Sequence, residues 1–73
     1  MAKKVKNAVY RVTEVIGTSS ESWEAAARSA VSTASKSLRD LRIAEVTKLD
    51  VKVVNGKVTQ FRTRLSLSFK YGA

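Results

Sequence analysis

Along the chain the spacing of apolar and polar positions changes character at each predicted element. Val9, Tyr10, Val12, Val15 and Ile16 lie in a run rich in β-branched residues that stops at Gly17-Thr18-Ser19-Ser20, which predicts a first strand and a turn. From Ser22 the apolar and small residues move to a three-and-four spacing, at Trp23, Ala26, Ala27, Ala30, Val31, Ala34, Leu38 and Leu41. Glu24, Arg28, Ser32, Ser35, Lys36 and Arg39 take the other side. This predicts one amphipathic helix of about five turns. Its alanine-rich stripe demands a neighbour that comes close to the helix backbone. Three starts suit the helix: Thr18 with Glu21 as a capping box, Ser20 alone, or Ser22 alone.

Beyond Leu41 the helical period is lost, and Arg42 to Val54 carries Ile43, Val46, Thr47, Leu49, Val51, Val53 and Val54, a long second strand. Asn55-Gly56 then gives a two-residue hairpin turn, because both residues accept the positive φ it needs. In the third strand Phe61, Leu65, Leu67, Phe69 and Tyr71 share one face with Thr63, and Gln60, Arg62, Arg64, Ser66, Ser68 and Lys70 share the other. The order is β-α-β-β, an α+β fold. If strand three inserts between the other two, the sheet is antiparallel throughout, in order 1-3-2, and wraps one face around the helix. The opposite face and two strand edges are left bare.

Seventy-three residues make one domain, with residues 1–7 expected as a basic tail and 8–73 as the folded unit. A chain this short removes only about 60% of its unfolded surface from water. With no Cys and no His, disulfides, Cys/His zinc sites, thiol nucleophiles and imidazole catalysis are all excluded. Oligomerisation is the remaining route to stability. No apolar core of a signal peptide follows Lys3, Lys4 and Lys6, and no stretch approaches the ~20 apolar residues of a membrane helix, so the expected compartment is the cytoplasm.

Fourteen Lys and Arg against six Asp and Glu leave a net charge of +8, which calls for anionic partners. Arg62, Arg64 and Lys70 form a basic stripe, with Arg11 and the tail lysines as additions, and Arg62 and Arg64 are the candidate anion-binding residues. Phe61, Phe69 and Tyr71 alternate onto the other face, so the stripe lacks the stacking platforms of single-strand readers. A nucleic-acid- or polyanion-binding module is therefore the alternative reading. Glu14 interrupts the Tyr10/Val12/Ile16 face of strand one, and Glu45 follows Ile43 on strand two. These two carboxylates suit either a hard cation such as calcium, held between symmetry-related copies, or salt bridges to Arg11, Arg42, Arg62 or Arg64. Glu21 and Glu24 belong to the helix start and Asp40 to its end. Gly17-Thr18-Ser19-Ser20 lacks the second glycine and the lysine of a phosphate loop, and no general base accompanies the serines, so no enzyme is expected.

Val9-Tyr10-Arg11-Val12-Thr13-Glu14-Val15-Ile16-Gly17-Thr18-Ser19, Ser22-Trp23-Glu24-Ala25-Ala26, Glu45-Val46, Asn55-Gly56-Lys57-Val58 and Leu65-Ser66-Leu67-Ser68-Phe69-Lys70, taken in order, resemble the dodecins. The resemblance implies a hollow homododecamer that stores or buffers small ligands and holds flavin pairs between aromatic side chains at two-fold interfaces. The position of the family's stacking tryptophan matches Ile43 here, and that of the glutamine that hydrogen-bonds the flavin ring matches Arg62. Flavin binding, whether of riboflavin or of flavin mononucleotide, is accordingly expected to be weak or lost. Ser-Trp-Glu at the helix start and the Ile43-Ala44 pair are similar to a branch of the family associated with calcium. The positive charge, multiplied over twelve chains, suits anionic ligands such as flavin mononucleotide or coenzyme A.

Overall fold

A computed structural model describes residues 7–70; most of the expected tail and Tyr71 lie outside them. The elements run β1 (Tyr10–Ser19), α1 (Trp23–Ala34), β2 (Leu41–Val54) and β3 (Lys57–Lys70). β3 pairs antiparallel with both other strands, giving the expected order β1-β3-β2. The helix lies on one face, mainly over β1 and β3.

β1 continues through Gly17 to Ser19 instead of stopping at the glycine, because Gly17, Thr18 and Ser19 pair with Thr63, Arg62 and Phe61. Gly17 marks a helix contact within the strand. A Cβ there would lie 2.1 Å from the carbonyl oxygen of Ala26 and 2.9 Å from the Cβ of Ala30, so only a glycine lets α1 settle onto β1. The turn follows at Ser19, whose hydroxyl accepts from the Glu21 N–H at 2.9 Å. Of the three possible caps, Ser22 is the one used: its backbone is extended and its hydroxyl accepts from the Ala25 N–H at 3.0 Å.

The helix has 12 residues, well short of the expected five turns. After Ala34 the hydroxyls of Ser35 and Ser37 donate to the carbonyls of Ser32 and Ala34, competing with the helical ladder, and tight turns carry the chain to Leu38. Asp40, at φ 56°, takes the left-handed conformation and swings the chain into β2, where the Lys70 N–H donates to its carbonyl. Leu38 and Leu41 still pack against the core from non-helical backbone, which is why their spacing mimicked a longer helix.

The fully buried residues are few: Ala26, Leu65, Leu67 and Thr63, with Ala30 beside them and Val15, Ala27, Val31 and Ala34 packed around. Thr63 is satisfied by donating its hydroxyl to the carbonyl of Trp23 at 2.9 Å. Trp23 meets Phe61 edge-on at 5.1 Å and donates its indole N–H to the carbonyl of Asp50 at 3.0 Å, tying the helix start to β3 and β2. The register of β2 on β3 slips at Arg42, at Thr47 and at Thr59. Thr47 and Thr59 each donate a hydroxyl to a facing carbonyl, of Arg64 and Lys52, which ties the two strands together across the slip. The slip at Thr47 puts Val46 and Leu49, three apart in sequence, on the helix side together.

The helix does not reach across β2. Val46 and Leu49 remain 49% and 53% exposed, and Val46 borders an open groove of ≈ 410 Å³ between α1 and β2.

Candidate functional site

Cross-strand partners point to the same side of a sheet, so the register assigns every candidate residue to a face. On the face away from the helix lie four rows: Val12–Ser68–Ile43, Glu14–Ser66–Glu45, Ile16–Arg64–Lys48 and Thr18–Arg62–Asp50, each reading β1–β3–β2. Tyr10 and Lys70 close one end. Ile43, Arg62, Arg64, Glu14 and Glu45 therefore share the outer face, while Phe61 and Phe69 occupy the opposite one.

They do not converge on a point. Ile43 is opposite Ser68, six residues from Arg62 along β3, or about 20 Å at the rise of an extended strand. Glu14 and Glu45 flank Ser66 from the two outer strands, about 10 Å apart at the usual strand spacing.

Both candidate arginines already hold a carboxylate. Arg62 donates from Nε to Oδ1 of Asp50 at 2.7 Å and from Nη2 to Oδ2 at 3.2 Å, a two-pronged pair. Arg64 reaches Glu14 at 3.7 Å, one of the salt bridges expected for that glutamate. The hydrogen bond from Arg62 holds the Asp50 carboxyl below its ordinary 3.8, and Asp50 raises Arg62 in return. The folded state thus gains from this pair above the ordinary carboxylate range and loses the gain as pH falls through the lowered value. Both side chains are well exposed, which keeps the gain small. Glu45 has no ion pair among the described residues.

Asp50 did not stand out in the sequence. Counting back from the two-residue turn at Asn55-Gly56 pairs it with Phe61; only the slip at Thr59 brings it opposite Arg62.

The family model for dodecins matches residues 9–72. The chain belongs to the dodecin family. It is 48% identical over 63 residues to the calcium dodecin of Mycobacterium tuberculosis, covering 85% of this chain and 87% of that one. A solved structure of that calcium dodecin, described as calcium-chelating, superimposes with a TM-score of 0.77 at 46% identity, over 85% of this chain and 89% of the other. The dodecin of Streptomyces coelicolor superimposes with a TM-score of 0.86 at 39% identity, over 94% and 99% of the two chains.

On the outer face of this dodecin Ile43 shares its row with Val12 and Ser68, and Tyr10 lies one row away. No three acidic side chains come together among the described residues. Among the described residues no helix is long and apolar enough to cross a membrane.

Proposed function

We propose that the chain is a non-catalytic storage or sequestration protein that assembles as a hollow homododecamer and holds small ligands between its copies, with flavin binding weak or lost. The observation that carries the reading is the bare outer face. Tyr10, Val12, Ile16 and Ile43 are 45–61% exposed there, beside charged and hydroxyl side chains, and a second copy is what such a face needs. Ile43 and Arg62 lie too far apart to meet one ligand within a chain, so a site that uses both takes them from two copies. The same holds for calcium: Glu45, without an ion pair among the described residues, is the carboxylate we assign to a shared ion, with Glu14 of a neighbouring copy. Phosphate-bearing molecules such as flavin mononucleotide or coenzyme A are the anionic ligands that the excess of basic residues favours. The proposed compartment is the cytoplasm, where a fold without disulfides loses nothing.

The test begins with light scattering, which should return twelve times the 8.0 kDa chain mass. A monomeric or dimeric mass in ordinary salt overturns the reading. Riboflavin is then titrated and its fluorescence followed. Loss of stacking is worth about 1–3 kcal/mol per ring by analogy with base–aromatic stacks, roughly a tenfold to hundredfold loss of affinity. The double change Ile43→Trp with Arg62→Gln should create or strengthen quenching. Micromolar quenching by the unaltered protein, or none by a normally assembled double variant, refutes the assignment of Ile43. Calorimetry with calcium should show binding that Glu45→Gln removes.

A further inference from the structure

We propose that Asp50 is a built-in counter-ion: its carboxylate fills an anion subsite formed by Arg62, with Arg64, Lys48 and Lys52 around it, and so decides whether the outer face takes a phosphate-bearing ligand. The inference rests on the reading of that face as ligand-holding.

Arg62 presents Nε and Nη2 side-on to the two oxygens of Asp50 at 2.7 and 3.2 Å. A guanidinium offers the same fork to the carboxylate or phosphate of a ligand. The fork is thus occupied by a group chemically equivalent to the ligand's own.

Three properties make that occupancy exchangeable. The Arg62 and Asp50 side chains are 38% and 49% exposed in the single chain, so neither is sealed within its own protomer and a ligand held between copies can meet the fork. Exposed pairs of this kind are held by little net free energy. The surrounding charge also favours an anion. Lys48 and Lys52 flank Asp50 on the same face of β2, and Lys48 faces Arg64 in the next row. Among the described residues the carboxylates beside these four cations are Asp50 and, in the row beyond Arg64 and Lys48, Glu14, which Arg64 reaches at 3.7 Å, and Glu45. A phosphomonoester or diphosphate brings more negative charge to this place than the single charge Asp50 supplies. A ligand's lone carboxylate brings no more, and gains nothing by displacing it. The subsite in the unaltered protein therefore discriminates for polyvalent phosphates against monocarboxylates, and Asp50 sets the threshold.

Inorganic pyrophosphate is the probe, titrated by calorimetry with acetate as the monovalent comparison. Trp23 is a local reporter, being the chain's one tryptophan and donating its indole N–H to the Asp50 carbonyl. Asp50→Asn keeps the side-chain size, removes the charge and frees the fork. It should bind pyrophosphate about tenfold more tightly than the unaltered protein, with a larger change in Trp23 emission, because a charge-assisted pair becomes available. In Asp50→Asn with Arg62→Gln the gain should vanish. Unchanged affinity in Asp50→Asn, or a gain that survives the double change, overturns the proposal. Should Asp50→Asn alter the mass of the assembly, Arg62→Gln decides alone: pyrophosphate displaces Asp50 and acetate does not, so the change should weaken pyrophosphate binding several-fold and leave acetate binding unchanged. An equal loss for both anions shows that Arg62 was already open, and no loss for pyrophosphate shows that it does not bind at the fork; either result refutes the proposal. Assembly mass and the riboflavin response test the storage reading, and the pyrophosphate series tests Asp50 independently of both.

Discussion

Gly17 shows how much one side chain decides in this chain. The strand must continue through it to Ser19, and the helix must cross above it with the Ala26 carbonyl only 2.1 Å from where a Cβ would stand. The obstacle is backbone, which has no rotamer by which to withdraw. Gly17→Ala should therefore destabilise the fold by about 1–3 kcal/mol or more, the range of overpacked cores, measured as a lowered urea midpoint at fixed protein concentration. Adding Ala26→Gly should not restore it, because the clashing oxygen remains. Thr63 makes the complementary point: a polar residue in the apolar row of β3 is tolerated at 1% exposure because its hydroxyl ends the carbonyl of Trp23.

Among the elements, α1 is the most dependent on its ends. Twelve residues are too few for a helix to persist on propensity alone, so its stability comes from the Ala26/Ala30 seam on the sheet and from the Ser22 cap. Ser22→Ala should cost about 1 kcal/mol in the same unfolding assay, with Ser22→Asp near neutral because it keeps the acceptor. Ser20→Ala should leave stability unchanged within error, since the described hydrogen bonds of the helix start run through Ser19 and Ser22. The β2–β3 hairpin is held by its turn at one end and by pairs such as Asp50–Arg62 and Thr47 to Arg64 along its length.

For the whole molecule the deficit is in burial. One helix covers two of three strands on one side and none on the other, and Val12, Ile16, Ile43, Val46 and Leu49 stay about half exposed or more. In the proposed assembly, copies that cover each other's outer faces and strand edges supply what the lone protomer lacks, which links folding to association. The melting temperature should rise with protein concentration across a hundredfold dilution series, as mass action requires for linked folding and assembly. A melting temperature independent of concentration, with reversible unfolding and a monomeric mass, contradicts this.

The sequence by itself determined the element order, the hairpin turn and the two faces of β3, because those rest on local rules: period two against period three and a half, and the positive φ that Asn55 and Gly56 accept. It also placed Ile43, Arg62, Arg64, Glu14 and Glu45 on strands whose alternation is readable. What it left open was every feature set by competition between neighbours. The serines after Ala34 end the helix where apolar spacing runs on to Leu41; Gly17 marks a helix crossing where a turn was the local reading; and Ser22 wins the cap from two equivalent residues. Above all, the slips at Thr47 and Thr59 set which side chains meet. A bulge changes the partner of every residue beyond it, yet it is selected by how two distant strands fit a shared core. Only the tertiary structure could therefore decide that Asp50 faces Arg62 and that Val46 and Leu49 look toward the helix together.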